Sequence, residues 1–124
     1  MARGAFVAPT VVELAGDDPL WRDELFGPVL AVRRAPDDRA ALDLVNDSVY
    51  GLSAAVFTDS LAAVSAAMET LDVGVLHINS ETAGADPHVP FGGNKASGFG
   101  PKEQGGAARE FFTTTKTIYL RGAG

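Results

Sequence analysis

Short apolar runs alternate with amphipathic segments through the middle of the chain. The runs at 29–33, 52–57 and 73–78 show little polar alternation, which is typical of strands covered on both faces. The segments between them, at about 37–46 and 59–71, carry apolar residues at helical spacing. The order strand, helix, strand, helix, strand predicts two consecutive βαβ units. Because such crossovers are right-handed, we expect an α/β fold with helices packed against a parallel sheet.

Local capping residues place the starts of both helices. Asp37 and Asp38 follow Pro36 and predict a helix that extends to about Asn46. Asp59 and Ser60 predict the start of the second helix. The residues expected on the buried faces are Ala40, Ala41, Leu44 and Val45 in the first helix, and Leu61, Val64, Met68 and Leu71 in the second.

Less regular segments flank this core. Residues 5–14 read as an extended segment that Pro9 interrupts, which favours an edge position. Residues 79–101 show no periodicity and form a long glycine-rich loop, a length that favours a functional role. A helix opened by Pro101 is predicted to reach about residue 112. The β-branched and aromatic residues at 114–120 predict a C-terminal strand.

Composition narrows the classes of function. The 124 residues are 46% hydrophobic with a net charge of −6, which fits one globular domain and argues against a nucleic-acid partner. No apolar run approaches the ~20 residues that span a bilayer. Met1 to Gly4 lack the apolar core of a signal peptide, so a cytoplasmic location is expected.

Two residue types set the chemistry that the sequence can offer. There is no cysteine, which excludes a disulfide, a thiolate zinc site and a cysteine nucleophile within these residues. The two histidines, His77 and His88, are too far apart in the sequence to indicate a metal site. His77 is expected to be a hydrogen-bonded core residue, whereas His88, two residues after Asp86, is a candidate pocket residue.

Glu24 precedes a Phe26-Gly27-Pro28 turn that leads into a strand. An ionised carboxylate can accept two hydrogen bonds, which suits the vicinal hydroxyls of a ribose. A solvated loop acid is the alternative interpretation of Glu24. Phe26 has two interpretations as well, a core anchor and a ligand contact.

A second candidate segment, residues 90–100, contains four glycines, at positions 92, 93, 98 and 100. Glu103 stands where the third glycine of a dinucleotide fingerprint would be, and Lys95 is followed by Ala96 rather than Ser or Thr. Both phosphate-binding motifs are therefore rejected. Two possibilities remain open: tight turns that need glycine, and a backbone that approaches a ligand closely.

Five segments in order, at 4–11, 23–30, 50–58, 74–79 and 90–100, resemble the C-terminal part of the aldehyde dehydrogenase superfamily. The resemblance implies that residues 1–112 form the end of the catalytic domain and residues 113–124 an oligomerisation strand and tail. The loops at 82–90 and 100–105 are further similar to the 2-oxoglutarate semialdehyde dehydrogenase group.

The resemblance assigns roles to four side chains. Glu24 would hold the nicotinamide-side ribose hydroxyls of NAD or NADP, and Phe26 would lie beside the nicotinamide. Phe91 would form an aromatic wall of the aldehyde pocket, and residues 79–89, with His88, would form its mouth. Residues 113–121 would pair with a partner subunit's sheet, which implies a homo-oligomer.

The resemblance also shows what these residues lack. The family's cysteine nucleophile, general-base glutamate, oxyanion-holding asparagine and nucleotide-binding domain would precede residue 1. The chain is therefore expected to have no catalytic residue of its own, to be inactive alone and to bind no cofactor alone. The alternative is a non-catalytic interaction module that associates through residues 113–121 and exposed strand edges.

Overall fold

The computed structural model describes residues 4–122 and residue 124, arranged as two compact units, Met1–Val49 and Tyr50–Gly124. The expectation that no signal peptide is present rests largely on Met1 to Arg3, which lie outside the described residues. Ala123 in the tail also lies outside them.

The first unit is built on two parallel strands. β1 (Thr10–Glu13) pairs with β2 (Val29–Val32), with Thr10 opposite Val29 and Glu13 opposite Val32. A short 3-10 helix, Pro19–Trp21, lies in the connection between them. The extended segment predicted at 5–14 thus forms a strand only after Pro9, which has no N–H to donate.

Helix α1 (Asp38–Asn46) begins where the sequence predicts. The Asp37 side chain accepts a hydrogen bond of 2.8 Å from the N–H of Ala40, which caps the helix. The predicted buried face is wrong in part, because Val45 is exposed and Leu42 is the buried residue. Periodicity identifies apolar positions on a helix, but the neighbouring elements decide which of them are covered.

The second unit contains one βαβ crossover. β4 (Ser53–Val56) leads through α2 (Leu61–Thr70) to β5 (Val75–Ile78), and the two strands are parallel, with Ser53 opposite Val75. This confirms one of the two crossover units predicted. β3 (Tyr50–Gly51) pairs antiparallel with β6 (Asn94–Lys95), and β6 lies within the predicted long loop.

The predicted single parallel sheet is wrong for the part of the chain that the structure describes. The strands form three two-stranded sheets: one parallel sheet in the first unit, and one parallel and one antiparallel sheet in the second. The short β3 lies between α1 and β4 and pairs with β6 instead. Strand propensity marks which residues extend, but it carries no record of which backbone edges meet.

Helix α2 packs through small side chains. Ala67 is fully buried, whereas Leu61 and Met68, both predicted on the buried face, are 80% and 68% exposed. Ala63 and Val64 share the half-buried side with Ala67. Small residues allow a helix to lie close to its neighbour, so the covered face follows them rather than the largest apolar residues.

The C-terminal elements differ from the prediction. Helix α3 (Ala107–Phe112) begins at Ala107 rather than at Pro101, because Gln104 and Gly105 have φ values of 67° and 50°, which a right-handed helix excludes. The predicted strand at 114–120 is absent from the structure described here. A strand needs a partner edge for its backbone hydrogen bonds, and no such edge pairs with this segment.

No helix in the described residues is long and apolar enough to cross a membrane.

Candidate functional site

Contacts of Trp21 and Arg22, just before Glu24, hold the start of its loop in place. Arg22 forms ion pairs with Asp17 and Asp47, at 3.0 and 2.9 Å. The hydrogen bond to Asp47, followed by the charges of Asp17 and Asp47, raises the pKa of Arg22. The guanidinium of Arg33, the residue after β2, lies 5.2 Å from the ring centroid of Trp21 in the 3-10 helix, which is a cation–π contact.

Glu24 and Phe26 line one cavity of about 260 Å³ in the first unit. The carboxylate of Glu24 makes no hydrogen bond or ion pair with any described residue. Phe26 has a φ of 47°, and its ring is 91% exposed, so it is not a core anchor in this structure. A left-handed φ is rare for a bulky residue and often accompanies a functional site.

Backbone contacts fix the turn beside this cavity. The N–H of Val29 donates to the carbonyl of Gly27 at 2.8 Å, and the N–H of Thr10 donates to the carbonyl of Pro28 at 2.9 Å. The other residues around the cavity come from both strands and the loop: Val12, Leu20, Asp23, Leu25, Gly27, Val29 and Ala31. The structure thus places the carboxylate of Glu24 and the exposed ring of Phe26 beside the same cavity.

Two glycines of the second candidate segment, Gly93 and Gly98, are required by close backbone packing. A Cβ on Gly98 would lie 2.0 Å from the carbonyl oxygen of Gly93, and one on Gly93 would lie 2.4 Å from that of Ser97. Real Cβ atoms do not approach backbone oxygen so closely. These contacts support the tight-turn interpretation of the glycine-rich loop.

Side chains and backbone outside the loop hold it in place. Ser97 Oγ accepts a hydrogen bond of 3.1 Å from the N–H of Gly51. Asn94 Nδ2 donates to Asp72 Oδ1 at 2.8 Å. The N–H groups of Phe91 and Glu103 each donate to the other's carbonyl, at 2.6 and 2.9 Å. The loop is therefore held in place at residues 91, 94 and 97.

Phe91 lines a cavity of about 310 Å³ within the second unit. Three aromatic residues border it, Phe91, Phe99 and Phe111, together with the half-buried Glu103. The remaining residues around it are Leu52, Gly92, Gly93, Ser97, Gly98, Gly100 and Pro101. Aromatic residues with few polar groups suit a small organic substrate.

His88 does not line the Phe91 cavity. Its N–H and its Nδ1 each lie 2.9 Å from Asp86 Oδ1, and its side chain is 89% exposed. The hydrogen bond from the His88 backbone, and then that from its side chain, lower the pKa of Asp86. The structure thus brings His88 to Asp86 but not to Phe91.

Some residues around the Phe91 cavity were not expected from the sequence. Phe111 and Leu52 read only as helix and strand residues, and nothing in their spacing indicates a pocket. The prediction for His77 is correct only in part: the Ser80 hydroxyl lies 3.4 Å from its Nδ1, but His77 is half-buried on β5 rather than a core residue. The described residues contain no cluster of three groups able to hold a metal ion.

Comparisons with known proteins identify relatives of the whole chain. The model of the aldehyde dehydrogenase family matches residues 1–118. Alpha-ketoglutaric semialdehyde dehydrogenase of Bacillus subtilis is 35% identical over 119 residues, which are 95% of this chain and 24% of that protein. Succinate-semialdehyde dehydrogenase [NADP(+)] of Deinococcus radiodurans is 42% identical over 116 residues, 93% of this chain and 24% of that protein.

A solved structure shows the same fold. The crystal structure of Mycobacterium tuberculosis aldehyde dehydrogenase complexed with NAD+ superposes with a TM-score of 0.82 at 34% identity, covering 94% of this chain and 24% of that one. The chain thus spans about a quarter of the length of the relatives it matches.

Proposed function

This chain belongs to the aldehyde dehydrogenase family, and we propose that it supplies the cofactor-ribose and substrate-pocket contacts of an NAD(P)-dependent aldehyde dehydrogenase. In this proposal it acts as the C-terminal part of the catalytic domain. The reacting thiolate comes from another segment, because these 124 residues contain no cysteine. By itself the chain carries out no turnover.

The unpaired carboxylate of Glu24 carries the proposal. It is exposed, it lines a cavity of about 260 Å³, and an adjacent aromatic ring is almost fully exposed beside it. The volume suits part of a dinucleotide rather than the whole, since sites for drug-sized ligands are ~300–1,000 Å³. The chain therefore contributes one portion of a cofactor site, which fits our expectation that it binds no NAD(P) alone.

The cofactor residues act by holding and orienting. Glu24 accepts hydrogen bonds from the two ribose hydroxyls next to the nicotinamide, and Phe26 presents its ring to the nicotinamide. Bound NAD(P) supplies the hydride acceptor for aldehyde oxidation. Because charge-assisted hydrogen bonds are stronger than neutral ones, Glu24 contributes most of the binding free energy that this loop offers.

Phe91 provides the wall of the aldehyde pocket in this proposal. It lines a cavity with two other aromatic residues, and two backbone hydrogen bonds with Glu103 hold it in place. The substrate class is an aldehyde, and the relatives named for semialdehydes favour a semialdehyde. His88 lies outside this cavity, and we propose that it belongs to the mouth of the pocket formed by residues 79–89.

A hybrid enzyme tests the proposal. In it, the segment of the B. subtilis relative that aligns with this chain is replaced by this chain. We expect the purified 124-residue chain to give no aldehyde-dependent reduction of NAD or NADP above the protein-free rate, and the hybrid enzyme to give turnover with alpha-ketoglutarate semialdehyde. Turnover by the chain alone would refute its proposed inactivity, and a folded hybrid without turnover would refute the supply of a competent site.

A second function, a non-catalytic interaction module, is favoured by one observation. Ile118, Tyr119 and Leu120 lie in a segment without strand pairing, and all three are exposed. We propose that residues 113–121 pair with the sheet of a second copy, together with exposed strand edges, in a homo-oligomer. This association is compatible with the enzymatic role, and the cytoplasm is the proposed compartment.

A further inference from the structure

Lys102 contacts two glycines that lie against each other, Gly74 before β5 and Gly92 in the glycine-rich loop. Its Nζ donates a hydrogen bond to the carbonyl oxygen of Gly74, immediately before β5. Its aliphatic stem covers Gly92, because a Cβ built on Gly92 would lie 3.2 Å from Lys102 Cγ and 3.6 Å from its Cβ. Lys102 is half-buried, so these contacts are partly shielded from water.

The two segments that Lys102 joins already touch through their backbones. A Cβ on Gly74 would lie 1.8 Å from the carbonyl oxygen of Gly92. The N–H of Gly74 donates to the carbonyl of Gly51 at 2.9 Å, so Gly74 is fixed on β3. The Lys102 ammonium bonds to the carbonyl of Gly74, and it therefore links the loop near Gly92 to a residue that β3 already holds in place.

The same residue is adjacent to the backbone partner of Phe91. Glu103 follows Lys102 and exchanges two hydrogen bonds with Phe91. The position of the Phe91 ring in its cavity therefore depends on residues 102 and 103 together. Glu103 pairs with the Phe91 backbone, and Lys102 holds the next residue, Gly92, against Gly74.

We propose that Lys102 is a positioning residue for the aldehyde pocket, acting through Gly92 and Gly74 on the ring of Phe91. This inference rests on the proposed role of Phe91 as the pocket wall. The ammonium holds the loop by its bond to the Gly74 carbonyl, and the stem prevents the loop from lifting at Gly92. Lys102 itself touches neither cofactor nor substrate.

Amide hydrogen exchange on the 124-residue chain tests the positioning directly. Lys102→Met keeps the stem and removes the ammonium, and Lys102→Arg keeps a donor. We expect Lys102→Met to speed exchange at the amides of Phe91 and Glu103 about tenfold relative to Asn79, which donates to Val56 at the far end of β5. Lys102→Arg is expected to restore most of the protection.

The exchange result has three controls: the Asn79 amide, the Arg39→Met variant and the Lys102→Arg variant. The Asn79 reference separates local loosening from general unfolding, and Arg39→Met removes a surface cation from α1 without a contact in the loop. Unchanged protection of Phe91 and Glu103 in Lys102→Met would overturn the proposal. An equal loss in Lys102→Arg and Lys102→Met would also overturn it, because a donor at this position would then have no effect.

The hybrid enzyme supplies a functional readout. We expect Lys102→Met to raise KM for the aldehyde about tenfold while kcat and the KM for NAD(P) change little, and Lys102→Arg to recover the aldehyde KM. An unchanged aldehyde KM in Lys102→Met, alongside a raised one in Phe91→Ala, would overturn the positioning role alone. An unchanged aldehyde KM in Phe91→Ala would refute the pocket assignment of the proposed function, and the exchange experiment would still decide whether Lys102 positions the loop.

Discussion

Gly98 lies against Gly93 so closely that a Cβ on Gly98 would be 2.0 Å from the Gly93 carbonyl oxygen. The obstacle is backbone rather than a flexible side chain, so the loop cannot relieve the contact by changing a rotamer. Packing within the loop that carries Phe91 thereby explains why glycine stands at positions 93 and 98.

Gly98→Ala is therefore expected to destabilise the second unit by about 1–3 kcal/mol, the usual cost of forcing an extra methyl group into a packed region. Urea unfolding measures the change. Gly106→Ala is the matched control, since nothing lies within 4 Å of its Cβ position, and it is expected to leave the free energy of unfolding nearly unchanged. Equal effects of the two substitutions would contradict the packing argument.

Glu24→Gln is expected to raise KM for NAD(P) about tenfold in the hybrid enzyme, with the aldehyde KM unchanged, because a neutral amide replaces a charged acceptor. The free energy of unfolding of the isolated chain should not change, since the Glu24 carboxylate has no partner among the described residues. Glu69→Gln, an exposed acid on α2, is the control. A cofactor KM that is equally insensitive to both substitutions would favour the solvated-acid interpretation of Glu24.

The pKa of Asp86 offers a test by pH. The largest cause of its depression below the ordinary 3.8 is the hydrogen bond from the His88 backbone N–H, and the imidazole contributes less. We expect His88→Ala to keep the pKa of Asp86 low and His88→Pro, which removes the N–H, to return it toward 3.8. Carbon-13 NMR titration of the Asp86 carboxyl group measures both.

The sign of the associated stability follows from the direction of this shift. A carboxyl group whose pKa is lower in the folded than in the unfolded chain stabilises the fold fully above the unfolded value. That contribution is lost as the pH falls through the folded pKa. The Asp86–His88 turn should therefore loosen as the pH falls below the ordinary 3.8 in the unmodified chain, with less protection of the His88 amide than its intrinsic exchange rate at the same pH implies. Loosening on raising the pH through neutrality would contradict this assignment.

Ile118→Lys is expected to weaken self-association of the chain several-fold by placing a charge on the segment proposed to pair with a second copy. Sedimentation velocity at increasing protein concentration measures the shift. Leu61→Lys removes a comparably exposed apolar residue from α2 and should leave association unchanged. A monomer at all concentrations in the unmodified chain would count against pairing through residues 113–121.

Local chemistry in the sequence determined the helix starts. Asp37 caps α1 through Ala40, and Ser60 caps α2 through Ala63, so the sequence predicts both starts from residues three positions apart. The apolar runs likewise identified β2, β4 and β5. The placement of Glu24 and Phe26 on one loop was also predictable, because they are two residues apart at the start of the same turn.

Tertiary structure decided everything that joins residues far apart in the sequence. Whether β3 pairs with β6, whether Leu42 or Val45 is buried, and whether Phe111 borders the Phe91 cavity all depend on which surfaces meet. The segment 114–120 has the composition of a strand and forms none, because backbone pairing requires a second edge. Propensity and capping act over a few residues, whereas burial and pairing are properties of the assembled chain.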